Sequence, residues 1–222
     1  MNAPLVVAVD GPSGSGKSST ARGVARVLSL AYLDTGAMYR AMTWALLERG
    51  IDPTDADAVA QGAEQVRLVS GTDPDAPTIE ADGVDVSAPI RGPHVTAAVS
   101  PVSAVPQVRR LLVEQQREVI AAADGGIVVE GRDIGSVVAP DAAVKVFLVA
   151  DPAARAARRA AEDGTRDASA TLASLERRDA IDSTRAASPL VRADGAVEID
   201  GTHLSLEEVV DRVVALVREV RG

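Results

Sequence analysis

Two glycines five residues apart, Gly11 and Gly16, stand directly before Lys17 and Ser18 in the stretch GPSGSGKSST. Glycines at that spacing let successive backbone N–H groups turn inward around an anion, a lysine adds a mobile positive charge, and a hydroxyl can bind a divalent cation. This is the chemistry of a phosphate chain carrying magnesium, and GxxxxGK followed by Ser or Thr is the P-loop pattern. Gly11, Ser13, Gly14, Ser15, Gly16, Lys17, Ser18 and Ser19 would surround the phosphates of a donor nucleotide. Lys17 would reach the outer two phosphates and Ser18 would bind the metal.

A bound nucleotide does not reveal what is done with it, and five other groups of residues bear on that. The stretch DTGAMYR sets Thr35, Tyr39 and Arg40 at the start of a helix behind Asp34, and VSPVSAVPQVRRLL offers Ser100, Arg109 and Arg110. In VVEGRDIGS an apolar strand delivers Glu130, Arg132 and Asp133 to its carboxyl end, where open α/β sheets hold their ligands. Arg155, Arg158 and Arg159 cluster in RAARR, and Arg178, Asp182 and Arg185 follow at spacings of four and three. Taken singly, solvated helix faces or surface ion pairs account for the arginine groups as well as ligands do. His94 and His203 read as surface or structural residues, and no nucleophile elbow supports a hydrolase built on His203.

These residues need a scaffold, and the apolar periods describe one. LVVAVD (5–10), IVVEG (127–131), VKVFLV (144–149) and GAVEID (195–200) are runs suited to buried parallel strands. Helices are predicted over 16–29 and 205–220, the second opened by a capping box of Ser205 and Glu208, and an arginine-studded helix runs from Arg155 into a polar loop ending at Asp167. The fold class is α/β: a three-layer P-loop fold with a central parallel sheet. Residues 52–103, rich in Pro, Gly and Asp, hold short strand candidates at VRLV, PTIEA and VDVS. The expected organisation is a core of 1–40 and 103–222, an inserted lobe of 41–102 with a small sheet, and a short lid over 151–168.

Composition limits the setting. The 222 residues contain no cysteine, which removes disulfides and thiolate metal sites and suits a reducing cytoplasm. No window reaches the roughly 18 to 20 apolar residues of a membrane span. A net charge of −9 opposes general adhesion to nucleic acid or anionic membrane, so anionic ligands must be held by local basic clusters. Of the 23 basic residues only Lys17 and Lys145 are lysines; the rest are guanidiniums, suited to bidentate phosphate contacts.

Three classes of nucleotide protein compete. A guanine-reading switch uses an Asn-Lys-x-Asp element, and the single asparagine here, Asn2, precedes the first strand. A motor ATPase generally has a larger core, although Glu130 at a strand end suits one. A kinase needs an acceptor site and a movable set of cations, and the remaining motifs offer both.

In order and spacing, the P-loop, DTGAMYR, GRDIG, RRDAIDSTRA and the following PL resemble the bacterial cytidylate kinases of the P-loop nucleoside-monophosphate kinase group. The resemblance covers nearly the whole chain, including the three-strand insert near residues 66 to 92. It implies transfer of the γ-phosphoryl group of ATP to CMP or dCMP with magnesium, by a cytoplasmic monomer without nucleic-acid or membrane partners. It implies that Arg40, Arg132 and Arg185 hold the acceptor phosphate, that Ser100, Arg109 and Asp133 read cytosine, and that Tyr39, Arg178 and Asp182 face the sugar and the neighbouring phosphate. Lys17, Arg132, Arg155, Arg159 and Arg185 would neutralise the transferring group, with Arg158 also on the donor. The family often has Ser at the Thr35 position and either acid at Glu130, so a substrate contact at Thr35 and a magnesium role for Glu130 stay open.

Overall fold

The run VVAVD forms β1 (Val6–Asp10), buried along its whole length. In the computed structural model, which describes residues 4–163, 168–184 and 189–221, and the side chains of all of these but 162, 163, 168–170, 174 and 178, β1 is the centre of a five-stranded sheet. Its companions are β2 (Ala31–Asp34), β6 (Ile127–Gly131), β7 (Val144–Val149) and β8 (Val197–Asp200), in the order β2-β6-β1-β7-β8, all parallel. β1 and β6, buried at every residue, are covered on both faces and so read as unbroken apolar runs. β8, expected to be a buried strand, is instead the edge of the sheet and is buried only at Ile199, because one face alone packs on the core.

Alternate residues separate the two faces. Val7, Val9, Tyr32, Val128, Val146 and Leu148 pack with helix α1 (Lys17–Leu28) and helix α8 (Leu206–Arg221). Ala8, Leu33, Ile127 and Val129 face α2 (Thr35–Glu48) and α5 (Pro106–Ala121). The predicted capping box opens α8: Ser205 N–H donates to Glu208 Oε2 at 2.7 Å and Glu208 N–H to Ser205 Oγ at 3.2 Å. The outer edge of β2 is covered where Tyr32 N–H donates to the Thr72 carbonyl at 2.9 Å.

Between α2 and α5 lie α3 (Ala56–Ala63), an antiparallel sheet of β3 (Leu68–Ser70), β4 (Ile79–Ala81) and β5 (Val84–Asp85), and α4 (Pro93–Ala104). The three short strands fall where the sequence predicts them. Ile79 and Ala81 of β4 share one apolar cluster with Leu33, Met38 and Met42, so the insert is packed onto α2 through a common core. Helices α6 (Pro152–Asp163) and α7 (Ala168–Thr184) pack against each other beyond β7. Among the described residues no helix is long and apolar enough to cross a membrane.

Candidate active site

The P-loop joins the end of β1 to the start of α1. Gly16, with φ of 93°, caps α1 from the left-handed region, which a Cβ-bearing residue enters only at a cost. Gly14, with φ of 74°, brings its backbone so close to α6 that a Cβ would lie 2.9 Å from the Arg155 carbonyl oxygen. The turn aims the amino end of a twelve-residue helix at the cleft, where unpaired N–H groups and the helix dipole favour an anion. Lys17 is only 8% exposed, and its ammonium donates to the Pro12 carbonyl at 3.2 Å.

Parallel register brings three strands to the same level: Asp10 lies opposite Gly131, and Asp34 opposite Glu130. Ser18 Oγ donates to Glu130 Oε2 at 2.8 Å, the Tyr32 hydroxyl donates to Glu130 Oε1, and Thr35 Oγ1 donates to the Glu130 carbonyl at 2.7 Å. Burial, then the nearby charge of Asp34, pushes the Glu130 carboxyl above its ordinary range, while Lys17 and the two hydroxyls pull it back. Burial also raises the Tyr32 phenol, which therefore stays a donor. Asp34 has a local task as well, capping α2 by accepting from Ala37 N–H at 2.8 Å.

Magnesium binds through few protein oxygens and keeps water and phosphate oxygens as its other ligands. A hydroxyl from Ser18 beside one carboxylate from Glu130 is such a sparse donor set, and no group of three or more acidic, His or Cys residues forms elsewhere among the described residues. The residues present fit the metal that a P-loop requires.

Across the cleft, Arg132 spans both halves. Its Nη2 donates to Ser13 Oγ of the P-loop at 2.7 Å and its Nε to Asp182 of α7 at 3.0 Å. Asp133 accepts from Arg109 in an ion pair whose side chains are 6% and 5% exposed, and the Arg109 guanidinium lies 5.3 Å from the centroid of the Tyr39 ring. Arg109 also donates to the Ser103 carbonyl at 3.3 Å. Arg40 donates to Thr96 Oγ1 at 2.9 Å and to the Ile90 carbonyl at 3.2 Å. Behind this wall Asp10 accepts from Ile134 N–H at 2.9 Å and Gly135 N–H at 2.8 Å, fixing the turn that follows Asp133. Burial raises the Asp10 carboxyl to about 6, more than those two bonds lower it.

One cleft therefore gathers most of the residues singled out in the sequence. Ser13, Gly14, Gly16, Lys17, Ser18 and Ser19 line it with Thr35, Tyr39, Arg40, Ser100, Arg109, Glu130, Arg132, Asp133, Arg159 and Asp182. Gly11, packed against the Leu148 carbonyl, and the buried Ser15 do not line it. The lid arginines divide: Arg159 lines the cleft, whereas Arg155 donates to the Ser13 carbonyl at 3.0 Å and pairs with Asp179, and Arg158 donates to the carbonyls of Ser15 at 3.2 Å and Gly201 at 2.5 Å. Arg185 and residues 164–167 of the expected lid lie outside the described residues, as does the side chain of Arg178.

Asp10, Tyr32, Ser103 and Asp179 were not singled out in the sequence. Asp179, which also accepts from Ser13 N–H at 3.0 Å, had a local signal in its place beside Arg178. Asp10 and Tyr32 end or enter strands, and no spacing announces their partners.

The family model for cytidylate kinase matches residues 7–219. A cytidylate kinase of Streptomyces avermitilis is 55% identical over 218 residues, covering 98% of this chain and 94% of the relative. One of Mycobacterium avium is 51% identical over 223 residues, covering 99% and 97%. Among solved structures, a gluconokinase from Sinorhizobium meliloti superposes with a TM-score of 0.51 at 17% identity over 100% of this chain and 96% of its own, a likeness of fold. Cleft, register and sequence agree, and the chain belongs to the cytidylate kinase family.

Proposed function

We propose that the protein transfers the γ-phosphoryl group of ATP to CMP or dCMP, giving ADP and CDP or dCDP. The observation that carries this reading is the convergence, in one cleft, of a P-loop with Lys17 and Ser18 and a second cationic wall of Arg40, Arg132 and the Arg109–Asp133 pair. An ATPase or a switch needs the first and has no use for the second.

Phosphoryl transfer asks little covalent work of a protein; it needs donor and acceptor in line and the charge on the transferring oxygens neutralised. The backbone N–H groups of the P-loop and Lys17 hold the donor phosphates, and Ser18 with Glu130 would hold a magnesium ion, which would supply charge neutralisation to the phosphates when bound. Arg132 stands between the P-loop and α7, and with Arg40 and Arg185 it holds the acceptor phosphate. Arg159 approaches from α6. The acceptor is a phosphate monoester already largely ionised at neutral pH, so no general base is required. The Asp133 carboxylate accepts from the exocyclic amine of cytosine, and Arg109 donates to its acceptor edge. A cytoplasmic setting suits a chain without cysteine, and a monomer is the state expected in solution.

The test is a coupled ADP-release assay with magnesium and ATP, offering each nucleoside monophosphate in turn. CMP and dCMP are expected to be the preferred acceptors, and Lys17→Ala to lower turnover about 10²- to 10³-fold with an unchanged melting temperature, as losing a charge-stabilising donor does. ATP turnover as fast without an acceptor as with CMP would refute the kinase reading, and near-normal turnover by Lys17→Ala would refute the role of the P-loop.

A further inference from the structure

Tyr32 is 1% exposed and lies among the apolar side chains of the α1 and α8 face, where a phenylalanine would fill the same space. Its hydroxyl nevertheless has a specific partner. Tyr32 lies opposite Val128 in the parallel register, two residues before the Asp34–Glu130 level, so its ring shares a face with Glu130. A strand side chain leans along its strand, and the phenol reaches Glu130 Oε1. The opposite oxygen, Oε2, receives the Ser18 hydroxyl at 2.8 Å. A chain of two hydrogen bonds thus runs from the apolar interior to the mouth of the P-loop. Tyr32 itself does not line the cleft.

The terminal torsion of a glutamate is broad and two-fold, so a carboxylate held at one oxygen only can swing the other away. Glu130 is 2% exposed, and its main-chain carbonyl is already fixed by Thr35 Oγ1 at 2.7 Å. What remains is rotation of the carboxylate, and the Tyr32 hydroxyl stops it. We infer that Tyr32 is a positioning residue for the donor site: by holding Glu130 Oε1 it keeps Oε2 turned to Ser18, and so prearranges the oxygens that receive the magnesium of the bound nucleotide. The inference rests on the reading of Ser18 as the metal-binding hydroxyl of the P-loop. Partners one step behind a metal ligand commonly set its affinity by about 10- to 100-fold.

The test is equilibrium binding of ADP to the full chain, by calorimetry, with magnesium and with a chelator, for the unaltered protein, Tyr32→Phe, Glu130→Gln, the two combined, and Ser18→Ala, beside the melting temperature of each. Tyr32→Phe is expected to narrow the advantage of magnesium-ADP over metal-free ADP by about tenfold. Metal-free affinity should stay within about twofold, and Tyr32→Phe should add nothing in a Glu130→Gln background, because both act through one carboxylate. An unchanged magnesium advantage in Tyr32→Phe, with or without a fall in melting temperature, overturns the inference and leaves Tyr32 a core residue. Should Tyr32→Phe not fold, an unchanged advantage in Glu130→Gln overturns it equally, since Glu130 is the group through which Tyr32 acts. Ser18→Ala separates the two levels: if it keeps the full magnesium advantage, the P-loop reading fails. If Ser18→Ala loses that advantage while Tyr32→Phe keeps it, only the Tyr32 inference fails.

Discussion

Asp133 and Arg109 meet in the cleft as a nearly dry ion pair. A carboxylate accepts from the amine of cytosine and repels the carbonyl that uracil has in its place, so the pair can discriminate as well as hold. Asp133→Asn keeps the shape and loses the charge. It is expected to narrow the CMP over UMP ratio of kcat/KM by tenfold or more, chiefly by weakening CMP, in keeping with the ~1–3 kcal/mol of a good base contact. Full CMP preference at unchanged efficiency would show that Asp133 does not read the base. The same substitution leaves Arg109 buried beside a neutral amide, and a lower melting temperature should accompany it. Asp133, Arg132 and Lys17 were legible in the sequence because their motifs are local. Asp10 was not: its work is to accept two main-chain N–H groups 124 and 125 residues away, a relation that only the closed sheet creates.

β1, β6 and the last helix were legible because each has a local cause: unbroken apolar runs for strands covered on both faces, and the Ser205–Glu208 box for α8. The exposed edge position of β8 was not legible, since it depends on the order of strands in the closed sheet. α4 and α7 were harder. α4 carries Pro101 within it and breaks at Val105 before Pro106 opens α5, and α7 mixes charged and apolar residues with little periodicity. Their course is set by packing on α2 and α6. The contact between P-loop and α6 also belongs to this scale, because Gly14 leaves no room for a side chain against the Arg155 carbonyl. Gly14→Ala adds both a left-handed strain of ~1–2 kcal/mol and a clash of main chain with Cβ. Its melting temperature should fall, and its ADP affinity should fall further than the loss of stability alone produces. An Ala variant that binds ADP normally would show that loop and helix shift apart freely.

Over the whole molecule, two apolar clusters flank the sheet, and the insert's small sheet is rooted in one of them, while α6 and α7 reach the P-loop through polar contacts of Arg155, Arg158 and Asp179. Two anions must be brought together and water kept away from the phosphoryl group, so we propose that the 41–102 lobe and α6, the described part of the expected lid, close on the cleft when both nucleotides bind. A non-hydrolysable ATP analogue with CMP and magnesium should reduce the radius of gyration in small-angle scattering and slow amide exchange in α6 and α7. Identical scattering and exchange with and without ligands would contradict it. The scarcity of lysine has a separate consequence. With Lys145 donating to the Asp194 carbonyl at 3.2 Å and Lys17 donating to the Pro12 carbonyl at 3.2 Å, the chain offers amine-directed reagents only two side-chain targets, one of them lining the cleft. Acylation of Lys17, read by peptide mapping beside Lys145 as an internal reference, is expected to be slowed by bound nucleotide, and equal acylation with and without nucleotide would show that the ligand does not cover this amine.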